Sequence, residues 1–155
     1  MDTYLLLKSL HVLGVVIFLG NIIVTALWKA IADRTGSPAI VAYAQRLVTI
    51  TDFVFTALGA ALIAITGPMM AERFGGVGAA SWLLWGIGLF IASGIIWVIV
   101  LIPVQIMQAR MARRFATQAE IPLQYRRLST VWNAAGAVAT LLPLFNRYFM
   151  VFKPT

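Results

Sequence analysis

The chain of 155 residues has no cysteine, a single histidine, and only 5 acidic residues against 12 lysines and arginines. The missing thiols exclude disulfides, thiolate nucleophiles, Cys-ligated zinc and iron-sulfur clusters. They say little about compartment, because a bundle embedded in lipid needs no disulfide staple. With His11 as the only imidazole, a His-rich metal site is excluded, and one chain cannot supply the two histidines that a bis-His haem requires. Charge of either sign is scarce: charged residues make up 11% of the chain and hydrophobic residues 61%. A water-soluble protein of this size needs far more polar surface than that.

What the chain does have is long apolar runs. Four stretches, Leu5 to Trp28, Val48 to Met70, Ser81 to Gln105 and Val131 to Phe152, each reach the roughly 20 residues that a helix needs to cross about 30 Å of hydrocarbon. The expected fold is all-α: an antiparallel bundle of four transmembrane helices forming one domain over residues 1–155. The first run follows Asp2 rather than a basic segment, is too long for the apolar part of a signal peptide and lacks a small-x-small cleavage site. It is expected to stay in the mature protein.

Lysine and arginine set the expected orientation, since basic residues in short loops are retained on the cytoplasmic side. Lys29, Arg34 and Arg46 follow the first span, and Arg110, Arg113, Arg114, Arg126 and Arg127 follow the third. The other side has Lys8, Arg73, Arg147 and Lys153, so both termini are expected outside. Topology and anionic lipid then account for the net charge of +7, and no nucleic acid partner is implied. Gly36 suits the end of the first helix, and Ser37 with Pro38 the start of the second. Residues Ala39 to Leu47 are expected on the inner surface. Gly75, Gly76 and Gly78 make a tight turn that should leave spans two and three as antiparallel neighbours. The third helix should run to about Phe115 with a kink at Pro103, and Pro122 should open a fourth helix kinked at Pro143. The similar entries Arg46-Leu47-Val48 and Arg127-Leu128-Ser129 reflect shared interfacial chemistry rather than a duplication.

At 100° per residue, His11, Gly14, Phe18, Asn21 and Thr25 share a face of the first helix, and Asp52, Thr56, Gly59 and Thr66 a face of the second. Asn133, Gly136, Thr140 and Arg147 do so on the fourth, and Trp82, Trp85, Leu89, Ser93 and Trp97 on the third. The small residues are expected to pack helices closely. Ionisable groups in hydrocarbon cost several kcal/mol unless paired, hydrated or able to snorkel, and here they gather at two depths. Lys8, His11 and Arg147 lie toward the outer face, with Glu72 and Arg73 just beyond, and suit an anion. Asn21, Asp52 and Asn133 lie toward the inner face as a structural polar cluster, with Arg46 and Lys29 at a depth to neutralise the carboxylate. One axial histidine still permits haem, with His11 on the iron and Lys8 and Arg147 on the propionates, and a homodimer would add a second His11.

Lys8-Ser9-Leu10-His11-Val12-Leu13-Gly14, Arg46-Leu47-Val48, Asp52, Thr66-Gly67, Tyr125-Arg126-Arg127-Leu128 with Trp132 and Gly136, and Met150-Val151-Phe152-Lys153-Pro154 occur in an order that resembles a bacterial group of predicted four-helix integral membrane proteins of unknown function. The first half also resembles the HemJ-type protoporphyrinogen oxidases, through Lys8, His11, Gly14, Arg46 and Leu47. That likeness implies a small haem-associated redox bundle with His11 as ligand. The third span here has no His, Lys, Arg or acid, which departs from the HemJ pattern. The expected protein is therefore a four-span bundle of the bacterial inner membrane that binds haem b or another porphyrin for electron transfer or tetrapyrrole handling. Two alternatives stand beside it: a non-enzymatic subunit or assembly partner of a larger membrane complex, and a small dimeric transporter or channel with Asp52 on its pathway.

Overall fold

The computed structural model describes residues 2–154. They form four helices that are long and apolar enough to cross a membrane: α1 (Thr3–Thr35), α2 (Pro38–Phe74), α3 (Ser81–Phe115) and α4 (Leu123–Phe152). Asp2 caps α1 by accepting from the Tyr4 amide at 3.0 Å. Gly36 closes that helix in the left-handed conformation at φ 66°, where a side chain would be strained. Pro38 stands at the start of α2, where its missing N–H costs nothing. Gly75 and Gly76, at φ 91° and 96°, turn the chain after α2. Pro143 lies inside α4, which runs through it without interruption.

Two helices change winding midway. Asp52–Thr56 in α2 and Trp97–Leu101 in α3 are π-helical turns, closed by i→i+5 bonds from the Ala57 amide to the Asp52 carbonyl and from the Ile102 amide to the Trp97 carbonyl. The second has a local cause: Pro103 offers no N–H and crowds the carbonyl four residues back, so the turn before it widens. The expected kink is thus a π turn. Ahead of the first, the Thr49 and Thr51 hydroxyls bond the carbonyls of Gln45 and Leu47, which loosens the backbone ladder.

The helices pack as two hairpins. α1 lies along α2, and α3 along α4; the hairpins meet in the half that carries the arginines and scarcely touch in the half that carries the termini. Spans two and three are therefore neighbours in one half only. Residues Ala39 to Leu47, expected at the inner surface and leading into the second span, are helical and continuous with it. Val41 packs with Ala112, Phe115 and Tyr125, so the ends of α2, α3 and α4 build a small core of their own. Outside, Val16, Leu27, Ile65, Ile99 and Phe145 are exposed, a belt that suits lipid and not water.

The inward faces of α1 and α2 are those expected, with Gly14, Phe18, Thr25, Thr56, Gly59 and Thr66 buried. α4 is rotated by about one residue: Tyr125, Ser129, Trp132, Ala139 and Pro143 are buried, while Asn133 and Arg147 are exposed. α3 likewise buries Leu83, Gly86, Ser93, Leu101, Gln105 and Gln108 and turns Trp85 outward, 61% exposed. Small residues take the crowded positions, as at Gly86, where a Cβ would collide with the Met150 methyl, and at Ser93, whose hydroxyl donates to the Ala139 carbonyl at 2.7 Å.

α1 and α2 cross backbone to backbone. A Cβ on Gly59 would stand 2.8 Å from both the Gly14 carbonyl oxygen and the Phe18 amide nitrogen. Gly59→Val should therefore force the helices apart and destabilise the protein by about 1–3 kcal/mol, seen as a lower midpoint of thermal unfolding in mild detergent. Gly136→Ala, where the added methyl meets open space, should leave that midpoint unchanged. Equal midpoints for Gly59→Val and the parent would refute the close crossing.

Candidate functional site

The densest polar structure lies in the arginine-rich half and centres on Lys29, whose side chain is 1% exposed. Its ammonium meets Asp33 Oδ2 at 3.2 Å, Tyr125 Oη at 3.0 Å and Ser129 Oγ at 3.4 Å. It also lies 5.0 Å from the ring centre of Tyr125 and 5.7 Å from that of Trp132, within reach of cation–π attraction. Tyr125 Oη donates to Gln45 Oε1 at 3.1 Å, and Gln108 Nε2 donates to Ser129 Oγ at 2.9 Å. All four helices thus contribute a side chain around one cation. Gln45 Nε2 and Gln108 Oε1, each on a fully buried residue, have no hydrogen-bond partner among the described residues. A recess of about 230 Å³, lined by Asp33, Tyr125, Arg126, Ser129, Thr130 and Asn133 among others, opens above the network.

Deeper in the bundle lies Asp52, the first residue of the π turn in α2. Thr56 Oγ1 donates to its Oδ1 at 2.7 Å, and Asn21 Nδ2 reaches Thr56 Oγ1 at 2.9 Å and Asp52 Oδ1 at 3.4 Å. Trp97, first residue of the other π turn, and Gln105 lie near the carboxylate, and the Trp97 indole Nε1 is buried without a hydrogen-bond partner among the described residues. Gln105 Oε1 in turn accepts from Trp132 Nε1 at 3.2 Å. Both π turns therefore border one carboxylate. Such turns recur at functional sites because the extra residue re-aims side chains at the expense of a regular ladder.

The other half holds His11, half-buried between α1 and α2. Its Nδ1 lies 2.9 Å from Thr66 Oγ1, and its ring lies over Gly67, with Cε1 3.5 Å from where a Cβ would stand. Thr66 Oγ1 is also 2.5 Å from the Leu62 carbonyl. The hydroxyl has one proton and the shorter contact takes it, so Thr66 can only accept from the ring. Nδ1 then carries the imidazole proton and Nε2 keeps its lone pair.

The residues singled out from the sequence are only partly brought together. Asn21 and Asp52 meet, with Thr56 as their bridge. Asn133 is exposed and lines the recess instead. Arg46 is exposed, and Lys29 is committed to Asp33, so neutral donors rather than cations surround Asp52. Lys8 and Arg147 are exposed, and no hydrogen bond or ion pair among the described residues joins either to His11. Arg73 lies over the Tyr4 ring at 4.4 Å. No group of three or more His, Asp or Glu among the described residues is placed to hold a metal ion.

Asp33, Gln45, Gln108, Tyr125 and Ser129 were not anticipated from the sequence. A signal for part of the network was present: Asn21, Thr25, Lys29 and Asp33 recur every four residues, one stripe down α1. The pair Lys29–Asp33 is unevenly buried, at 1% against 23% exposure, and this sets a direction. Asp33→Asn leaves a sealed ammonium without its counter-charge and should destabilise the protein by about 2–4 kcal/mol. Lys29→Met leaves a carboxylate that water can reach and should cost about 1 kcal/mol. Thermal unfolding in detergent that ranks these two variants the other way would contradict the assignment.

No curated protein and no solved structure matches the chain. Residues 5–154 match the family described as predicted integral membrane protein (DUF2269). With a match spanning nearly every residue and four apolar helices to carry it, the chain belongs to that family of integral membrane proteins.

Proposed function

We propose that the protein is a small bundle of the bacterial inner membrane, with both termini outside, that binds haem or a related porphyrin through His11 for electron transfer or tetrapyrrole handling. The observation that supports this reading is the state of the imidazole. Thr66 holds Nδ1–H and leaves Nε2 with its lone pair, the arrangement in which a ligating histidine is oriented by a partner on its other nitrogen. In the half that holds His11 few contacts join the two hairpins, and in this reading a planar ligand enters between them beside α1. Lys8, one turn before His11, is free to meet a propionate from the same helix. Arg147, exposed on α4 of the second hairpin, is the second propionate partner in this reading.

The reading is checked by oxidised and dithionite-reduced absorption spectra of protein purified in mild detergent from cells supplied with a haem precursor. A Soret band that shifts on reduction is expected, lost in His11→Ala while the thermal midpoint is retained. Thr66→Val, which removes only the partner of Nδ1, should weaken haem affinity about 10–100-fold. A colourless parent protein, or a spectrum indifferent to His11→Ala, would defeat the proposal. Because the chain has no cysteine of its own, orientation can be read by single cysteines. Gln118→Cys should react with an impermeant maleimide only in broken cells, and Asp2→Cys in intact ones; the reverse pattern would invert the topology.

A further inference from the structure

We propose that Asp52 is a proton-binding carboxyl that exchanges protons with water at the arginine-rich end of the bundle, through the recess and the network around Lys29, and not with the opposite end. This is independent of any ligand at His11. The chemistry around Asp52 favours a proton over a metal cation. A cation requires oxygen acceptors turned inward, whereas Thr56 Oγ1 and Asn21 Nδ2 present donors to Oδ1, and the Trp97 indole N–H, buried without a hydrogen-bond partner among the described residues, lies nearby. Such donors hold the charged carboxylate in a half-buried position, and the neutral acid still accepts from them once a proton has moved from hydronium to the carboxylate and left water behind. Asn21, Thr56, Trp97, Gln105 and Trp132 are the polar groups nearby from the four helices, and none is charged.

The route is read from the stripe on α1. Asp33, Lys29, Thr25 and Asn21 descend from the recess to Asp52 over about 18 Å of helix. Beside them stand Tyr125, Ser129, Gln45 and Gln108, and below these Gln105 and Trp132. In that upper tier, Gln45 Nε2 and Gln108 Oε1 are a donor and an acceptor, fully buried and without a partner among the described residues. Buried polar atoms of this kind are satisfied by water, and water is the carrier that a proton needs to pass an amide. Toward the other end the route stops. Gly14 and Gly59 bring the backbones of α1 and α2 into contact, with Phe18 against them; on α3 and α4 the hydroxyls of Ser93 and Thr140 are committed to the carbonyls of Ala139 and Gly136, and beyond the crossing stands the His11–Thr66 pair.

The test is infrared difference spectroscopy of the full chain reconstituted in lipid, titrated in H₂O and D₂O. The expected result is a carbonyl band of a protonated carboxylic acid that titrates, is absent in Asp52→Asn and is shifted but present in Asp52→Glu. Gln108→Leu should keep the band and slow its deuterium exchange severalfold, with a retained cooperative thermal transition showing that the bundle is folded. Liposomes holding the protein should leak protons no faster than empty ones. A band that persists in Asp52→Asn, no such band at any pH where the protein stays folded, a titration displaced by sodium at constant ionic strength, exchange unaffected by Gln108→Leu, or a leak abolished by Asp52→Asn would each overturn the proposal.

Discussion

The rest of this bundle depends on the requirement that one sealed ammonium be satisfied. Lys29 lies where all four helices meet, and its partners come from α1, α2, α3 and α4 directly or through one intervening side chain. In lipid the hydrophobic effect does not bring helices together, since the surrounding tails are as apolar as the side chains. Polar groups that have no alternative partner in hydrocarbon therefore carry much of the specificity. Tyr125 and Ser129 turn inward to meet this lysine, on the same face of α4 that buries Trp132, Ala139 and Pro143.

Close packing supplies the remaining constraint. Glycines at 14 and 59 join the first hairpin, and Gly86 with Ser93 joins the second. The hairpins are then coupled mainly through the polar half, where the short core of Val41, Ala112, Phe115 and Tyr125 adds apolar contact beyond the spans. The half with the termini is held more loosely between hairpins, by contacts such as the edge-on approach of Phe74 to Trp82 and Lys153 above both rings. The bundle is thus tight at one end and open at the other, and the two candidate sites fall one at each end.

Those sites differ in kind. His11 has a fixed proton on one nitrogen and an available lone pair on the other, which suits ligation. Asp52 is surrounded by donors at a place where two helices abandon regular winding, which suits a group that gains and loses charge. Electron transfer and proton transfer are often needed by the same protein, but nothing in the geometry requires that the two sites act together, since the glycine crossing lies between them.

The sequence alone determined the class, the four spans, the helix ends at Gly36, Pro38 and Phe115, and the inward faces of α1 and α2, because apolar run length, turn residues and 3.6-residue periodicity are local properties. It also exposed His11, Asn21 and Asp52, since polar groups in an apolar run stand out wherever the helix points. Only the tertiary structure decided which polar groups meet. Lys29 read as a loop cation at a depth to neutralise Asp52, Gln45 lay unmarked in the segment expected at the inner surface, and Asn133 read as a partner of Asp52. Their true relations depend on helix rotation, and a shift of one residue turns a helix face by 100°. Rotation is set by what neighbouring helices present, a fact written in no single segment of the chain.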